Sequence, residues 1–321
     1  MLSRAAESIY WMSRYLERAE NVARFIQVNC HLMLDLPVEA KGQWEPLVLT
    51  TGDQDLFYEN YATDNQASVI DFLTFSPVNP NSIISCLQNA RENARSIREI
   101  ISTEMWEQIN KFYLQVQNID KPQAQDAPHD YFTDIIIASH LFTGIQRNTL
   151  SHNEAWQFAQ LGRDLECADK TSRILDVKYY FLLPEVGDVG TPFDNIQWSA
   201  LLKSASALEM YRKQYGPIEP HNVVDFLLLN REFPRAIRYC LSRANQSLHT
   251  ISGTPESSFQ NTSEQVLGRL LAELDYTSID EIITRGLHEY LDAFQTRLNR
   301  LDNAIFETFF ATSPSSTTAN E

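Results

Sequence analysis

Apolar side chains recur at spacings of three and four residues over positions 3–35 of the chain. They form one stripe, made of Ala5, Ile9, Met12, Leu16, Ala19, Ala23 and Ile26. This spacing is the period of an α-helix that buries one face. The same period returns at 80–118, where two helices are expected and Pro80 suits a first helical turn, and again at 128–149. The pattern therefore predicts long amphipathic helices.

The helical period continues through the second half of the chain. It predicts helices at 152–183, 195–214, 219–230, 234–250, 261–274 and 279–311. Short alternating stretches such as Leu47-Val48-Leu49 are too isolated to build a sheet. Only 10 glycines and 13 prolines interrupt the 321 residues, which is few for an all-β protein with its many turns. The predicted fold class is all-α, a bundle of long helices.

Two segments of the chain resemble two later segments at nearly constant spacing. Residues 14–24 align with 163–173, an offset of 149 positions, and share Arg, Leu, Glu, Ala and a final Arg. Residues 43–90 align with 197–244, an offset of 154 positions, and both begin with Gln-Trp. Two collinear matches of this kind predict a tandem duplication and, with it, a bundle of pseudo-two-fold internal symmetry.

The duplication divides the chain into three parts. We expect a first helical repeat over 1–150, a second over 151–312, and a disordered tail over 313–321, whose residues are mostly small and polar. No Gly/Ser-rich or Pro-rich linker separates the repeats, so they are expected to pack as one body. The offset grows between 173 and 197, which predicts a loop insertion at 184–192.

A charged face accompanies the apolar stripe on the first helix of each predicted repeat. Its members recur at the same spacing in both: Arg14, Glu17, Glu20 and Arg24, then Arg163, Glu166, Asp169 and Arg173. One interpretation is a largely buried ion network between the two helices, which arginine forks and carboxylates suit. A second is a central polar cleft, where the arginines bind a carboxylate or phosphate and a glutamate acts as acid or base. A solvated surface is the third.

Composition narrows the expected partners and compartment. The 26 basic against 42 acidic residues give a net charge of −16, and no run of five basic residues occurs, so neither nucleic acid nor a membrane is an expected partner. The four cysteines (Cys30, Cys86, Cys167 and Cys240) lie far apart, as is typical of buried thiols in a reducing compartment. Charges at Glu7 and Arg14 interrupt any signal-peptide core. We therefore expect a cytoplasmic protein.

Motifs for cofactor and metal chemistry are missing from the sequence. It has no Gly-rich phosphate loop, no G-x-S-x-G elbow and no dinucleotide fingerprint. It also lacks the Glu-x-x-His repeats of helical bundles that hold two irons. We expect neither a cofactor nor a metal, and the sequence leaves open whether the chain is an enzyme.

Several segments together resemble the alpha-E family, a predicted helical domain named for its Glu-Arg motif. The first is Met1-Leu2-Ser3-Arg4 followed by Tyr10-Trp11 and RYLERAEN at 14–21. The other similar segments are 90–95 with 104–106, 156–158 with 161–166, and 226–229 with 233–235. In one difference, Cys167 occupies the position where the family's second Glu-Arg motif usually carries Arg.

The resemblance implies a functional context and no specific reaction. Members of the family resemble products of operons that also encode a circularly permuted ATP-grasp protein and often a transglutaminase-like cysteine peptidase, and some are fused to the ATP-grasp part. This implies a role in amide or peptide bond metabolism, as an accessory or co-catalytic subunit of a carboxylate–amine ligase system. The alternatives are a self-contained enzyme that uses the charged face on an anionic substrate, and a non-enzymatic helical scaffold.

Overall fold

A computed structural model of the chain describes residues 1–35, 44–119, 128–181 and 192–311. Within these ranges the chain forms 15 α-helices and one short π-helix, and no strand. The predicted all-α class is confirmed. Within the same ranges no helix combines the length and the apolar character needed to cross a membrane.

The helices are numbered here in chain order. Those of the first half are α1 Ser3–Asp35, α2 Glu45–Thr51, α3 Gln54–Asn60, α4 Gln66–Thr74, α5 Ile83–Ser96, α6 Thr103–Gln117 and α7 Pro128–Thr149. Those of the second half are α8 Glu154–Phe181, α9 Pro192–Ser204, α10 Leu208–Tyr215, α11 Pro220–Leu229, α12 Ile237–Ser252, α13 Thr262–Tyr276, α14 Ile279–Arg285 and α15 Leu287–Ile305. The π-helix Phe306–Phe310 follows directly.

The two longest helices, α1 and α8, pack against each other at the centre of the bundle. Helix α1 also packs on α5, α7 and α9, and α8 also packs on α12 and α15. Small side chains allow the close crossing: Ala19 and Ala168 are fully buried, and a Cβ atom on Gly162 would lie only 2.5 Å from the Tyr10 carbonyl oxygen. A single apolar core therefore surrounds both helices, and the face predicted to be charged lies inside the bundle.

Several contacts occur twice, at positions that the sequence alignment pairs. The Tyr61 hydroxyl donates to Asp71 at 2.6 Å, and the Tyr215 hydroxyl donates to Asp225 at the same distance. These contacts are what a duplicated unit predicts. The duplication itself and the boundaries of its two repeats stay predictions.

Three details of the predicted elements are wrong. The segment 195–214 forms two helices, because Ser206 adopts a positive φ of 54° between them. The segment 279–311 breaks at Gly286, whose φ of 103° suits glycine, and ends in the π-helix. Pro80 precedes its helix, since Ser82 is the N-cap and its side chain accepts a hydrogen bond from the Ser85 backbone.

Helices α2, α3 and α4 were not predicted from the first-half pattern, although their counterparts in the second half were. Each has only seven to nine residues, too few for a helical period to stand out. Most of the predicted loop insertion at 184–192 lies outside the described residues, and so does the predicted tail at 313–321.

Candidate functional site

The eight residues of the predicted charged face meet where α1 crosses α8. Among these eight residues two ion pairs join the helices, Arg14 to Glu166 and Arg163 to Glu17, and each is the counterpart of the other in the sequence alignment. Two more pairs lie within one helix, Glu20 with Arg24 on α1 and Asp169 with Arg173 on α8. We call this set and the residues bound to it the crossing network.

Glu166 is the most enclosed carboxylate of the network, with none of its side chain exposed. Arg14 Nε donates to its Oε2 at 2.8 Å, Arg18 Nε donates to its Oε1 at 2.6 Å, and the Lys170 ammonium lies 3.7 Å away. Burial alone would raise the pKa of Glu166, but Arg18, Arg14 and Lys170 outweigh it and hold the pKa well below its usual range. The same three cations therefore stabilise the ionised form of Glu166 and bind both of its oxygens.

Glu17 occupies the equivalent place on α1. Arg163 Nε donates to its Oε2 at 3.2 Å, while Arg235 Nη1 and Asn21 Nδ2 each donate to its Oε1 at 2.9 Å. Arg235 comes from the segment just before α12, so this carboxylate ties three elements together. Only 3% of the Glu17 side chain is exposed.

Glu20 connects the network to α7. Arg24 Nη2 and Arg235 Nη2 both donate to its Oε1 at 2.6 Å, and the Ser139 hydroxyl donates to its Oε2 at 2.9 Å. The exposed imidazole of His140 lies 3.3 Å from the same carboxylate. Burial raises the pKa of Glu20, but Arg235, His140 and Arg24 lower it more, so its pKa lies far below its usual range.

Asp169 is bound mainly within its own helix. Arg173 Nε donates to both of its oxygens, at 3.0 and 2.9 Å, and the Lys170 ammonium lies 3.2 Å away. Burial raises the pKa of Asp169, and Lys170 and Arg173 together lower it further than burial raises it. This carboxylate is ionised for the same reason as Glu166.

The network extends to the end of α15 through Arg14. Its Nη1 lies 2.6 Å from Asp302 Oδ2 and donates to the Tyr10 hydroxyl at 3.0 Å, and that hydroxyl donates to Asp302 Oδ1 at 2.9 Å. Burial would lower the pKa of Arg14, but Asp302, Tyr10 and Glu166 raise it well above the usual value. Arg14 thus bridges two carboxylates from different helices.

Sequence reasoning missed several members of the network: Arg18, Lys170, Arg235 and Asp302. Arg18 belongs to the Glu-Arg motif itself, but helical projection does not place it in the charged row. Arg235 stands in the last of the segments that carried the family resemblance, and this was the available signal. Arg235 lies 215 positions after Glu20 in the sequence, so no local pattern could predict the contact between them.

One acidic group in this region carries a different signature. The Asp164 Oδ2 atom is buried and has no hydrogen-bond partner among the described residues. Burial raises the pKa of Asp164 to about 7, against the opposing effects of Arg163 and Arg243. Its protonation state can therefore change near neutral pH.

The geometry favours the first of the three interpretations, a buried ion network between helices. A general acid or base must reach its substrate and exchange a proton. Glu17, Glu20 and Glu166 are instead buried, with at most 4% of each residue exposed. Their carboxylates are bound by arginines of this chain. Over the described ranges, no group of three or more His, Cys, Asp or Glu side chains is arranged to hold a metal ion.

An all-α bundle centred on α1, with its Glu-Arg motif, and on α8 defines the class of this protein, and comparison with known families agrees. The Alpha-E family, described as a predicted alpha-helical domain with a conserved ER motif, matches residues 1–310. The chain belongs to this family. Its Glu-Arg motif at 17–18 supplies, in Glu17 and Arg18, one anion and one cation of the crossing network.

Two mycobacterial proteins are similar to this chain in sequence. Uncharacterised proteins of Mycobacterium bovis and Mycobacterium tuberculosis are each 20% identical to this chain over 307 residues. The match covers 90% of this chain but 34% of each relative, so the chain spans about a third of the length of these proteins. No solved structure matches the chain.

Proposed function

We propose that this chain is an accessory subunit of an ATP-grasp carboxylate–amine ligase system that makes or processes amide bonds. In this proposal the chain supplies a rigid helical body to a complex and leaves nucleotide chemistry to its partner. The observation that carries the non-catalytic part is the state of the charged face, where Glu166 has no exposed side-chain surface and binds three cations.

The internal balance of the crossing network supports a structural role for the Glu-Arg motif. Burying a carboxylate costs several kcal/mol unless it is paired and fully hydrogen-bonded. Each of Glu17, Glu20 and Glu166 receives at least two hydrogen bonds from side chains of this chain. The motif therefore has a sufficient explanation in holding α1, α8 and α12 together, without a substrate.

The length of the relatives supports the idea that this unit works beside another one. The mycobacterial proteins carry the matching region within a polypeptide about three times as long, of which it makes up 34%. A unit that is joined to further sequence in these relatives is suited to work beside other subunits. The family's resemblance to operon products that accompany an ATP-grasp protein, and often a transglutaminase-like peptidase, suggests which subunits these are.

Affinity purification tests this proposal directly. The tagged chain is isolated from its native cell, co-eluting proteins are identified by mass spectrometry, and a tagged unrelated acidic protein serves as the control. We expect stoichiometric recovery of an ATP-grasp protein, and we expect ATP turnover by the pair and none by this chain alone. Because such a ligase uses ATP, we also propose a cytoplasmic location.

Two results would overturn the proposal. Recovery of this chain alone, as a monomer or a homo-oligomer, would remove the subunit role and favour a self-contained enzyme or a scaffold. ATP-dependent ligation by the chain without a partner would show that it carries its own active site, in a place other than the enclosed carboxylates.

A further inference from the structure

Helices α13, α14 and α15 enclose a groove on the second half of the molecule. Two adjoining cavities form it, of about 520 and about 290 Å³, and they share Glu273, Arg297 and Arg300 in their walls. Arg285 lines the first cavity and Arg269 lines the second. We call the space bordered by these four arginines the arginine groove.

The groove holds more positive charge than its own carboxylate can balance. Glu273 is the single acidic residue in either wall, and both of its oxygens are bound by the guanidinium of Arg297. Arg269, Arg285 and Arg300 are exposed and form no ion pair with any described residue. Three unpaired cations therefore border one space in a protein whose net charge is −16.

Arg297 is held in place before any ligand arrives. Its Nε donates to the Ala293 carbonyl at 3.1 Å within α15, while its two terminal nitrogens bind Glu273 on α13. This pair bridges the two helices and lines both cavities. The framework between the two helices therefore does not have to be built on binding, and the entropic cost of association falls on the side chains of the other three arginines.

Arginines gathered without acidic partners repel one another, and an oxyanion removes that repulsion. The planar guanidinium binds carboxylate and phosphate groups with two parallel hydrogen bonds, a geometry that lysine lacks. Ligand sites in proteins are typically clefts of roughly 300–1,000 Å³, and the two cavities of the groove fall in or near this range. The charge, the donor type and the size all suit a small polyanion.

We propose that the arginine groove binds a ligand carrying at least two carboxylate or phosphate groups, with Arg269, Arg285 and Arg300 as the residues that bind it. Arg285 and Arg300 contact the ligand in the larger cavity, and Arg269 contacts it in the smaller one. The site is separate from the crossing network and does not depend on the proposed role as a ligase subunit.

Isothermal titration calorimetry tests the proposal with two probes, inorganic tripolyphosphate and citrate, at a matched ionic strength of roughly 0.15 M. The test variant is Arg285→Gln/Arg300→Gln. The control variant, Arg147→Gln/Arg212→Gln, removes the same charge from two exposed arginines on α7 and α10 that line neither cavity. All four side chains are exposed, so both variants are expected to fold, and circular dichroism verifies this.

We expect at least one probe to bind the wild type and the control equally, and to bind the groove variant at least about tenfold more weakly. Binding of tripolyphosphate alone identifies a phosphate ligand, and binding of citrate alone identifies a carboxylate ligand. Equal weakening in both variants would reduce the effect to net charge and overturn the proposal. An absence of heat with either probe up to roughly 10 mM would overturn it as well.

Discussion

The carboxylates of Glu166 and Glu17 occupy equivalent positions on α8 and α1, but their second arginines come from different elements. Around Glu166 that arginine is Arg18, from the facing helix α1. Around Glu17 it is Arg235, from the segment before α12. Both carboxylates take their first arginine from the facing helix in the same way. Each cluster therefore has two arginines, supplied by different parts of the chain, and Glu166 has Lys170 in addition.

The alignment of the two halves explains the difference as an exchange of positions. Arg18 aligns with Cys167, and Asn81 aligns with Arg235. In each half the arginine of one aligned pair contacts the smaller residue of the other pair: Arg18 Nη1 donates to Asn81 Oδ1 at 2.5 Å, and Arg235 Nη1 lies 3.9 Å from Cys167 Sγ. A guanidinium therefore lies at the equivalent site in both halves, although it comes from a different position of the aligned sequence. The absence of Arg at 167 does not leave the second cluster without a cation.

The two clusters also differ in their access to water. Around Glu166, the exposed fraction of the side chain is 6% for Arg14, 15% for Arg18 and 6% for Lys170. Around Glu17, Arg163 exposes 37% of its side chain. Water screens a charge that it can reach, so the cluster around Glu166 is expected to contribute more to stability.

The largest effect is expected from removing one carboxylate charge in each cluster. Glu166→Gln removes the anion that three buried cations share, and Arg18 then keeps no carboxylate partner among the described residues, whereas Arg14 keeps Asp302 and Lys170 keeps Asp169. We expect a loss of about 3–5 kcal/mol in the free energy of unfolding. Glu17→Gln is expected to cost less, roughly 2–3 kcal/mol, because Arg163 can turn toward water. Urea unfolding of both variants measures this, and a larger loss for Glu17→Gln would reverse the comparison.

The exchange of positions predicts a rescue. Arg235→Asn leaves Glu17 and Glu20 short of a partner, and we expect a cost of about 3 kcal/mol. Adding Cys167→Arg rebuilds the first half's arrangement in the second, and we expect it to recover roughly 1–3 kcal/mol. The measurement is a double-mutant cycle by urea unfolding. Strictly additive losses would mean that the two arginine positions are not interchangeable.

Asp164 aligns with Tyr15, so the two halves should differ in their response to pH. The pKa of Asp164 is about 7 in the folded chain and about 3.9 in the unfolded chain. The contribution of its protonated carboxyl group to the free energy of unfolding is therefore fully present below about pH 4 and is lost as the pH rises through 7. We expect wild type to lose stability relative to Asp164→Asn between pH 5 and 8, by roughly 2–3 kcal/mol.

Urea unfolding of wild type and Asp164→Asn at several pH values between 5 and 8 measures this difference. Tyr15→Phe is the matched control, because a tyrosine does not titrate in that interval. Parallel stability curves for wild type and Asp164→Asn would contradict the assignment of a raised pKa to this carboxyl group.

The smallest effect is expected where the two halves agree. Tyr61→Phe and Tyr215→Phe each remove one hydrogen bond of 2.6 Å to an aspartate, and each is expected to cost roughly 0.5–1.5 kcal/mol. The two losses should be equal and should add in the double variant within about 0.5 kcal/mol. Thermal or urea unfolding of the three variants shows this, and unequal losses would set a limit on the correspondence between the halves.

The helical period was sufficient to predict the all-α class and to group the eight charged residues on one face of α1 and α8. The short helices α2, α3 and α4 were not predicted, because a helical period cannot be recognised in about two turns. The break at Ser206 was not predicted, because serine has no strong preference for a positive φ. At Gly286 the glycine itself was an available indication of a turn.

The sequence by itself determined which residues share a face, because the period of a helix is a local property of the chain. It also determined that these faces carry both signs of charge in the same order. Only the tertiary structure decided that the faces meet, that Arg235 joins them from outside the two helices, and that the carboxylates are enclosed. Contacts between residues more than 200 positions apart depend on how the helices pack, and no local pattern encodes that packing.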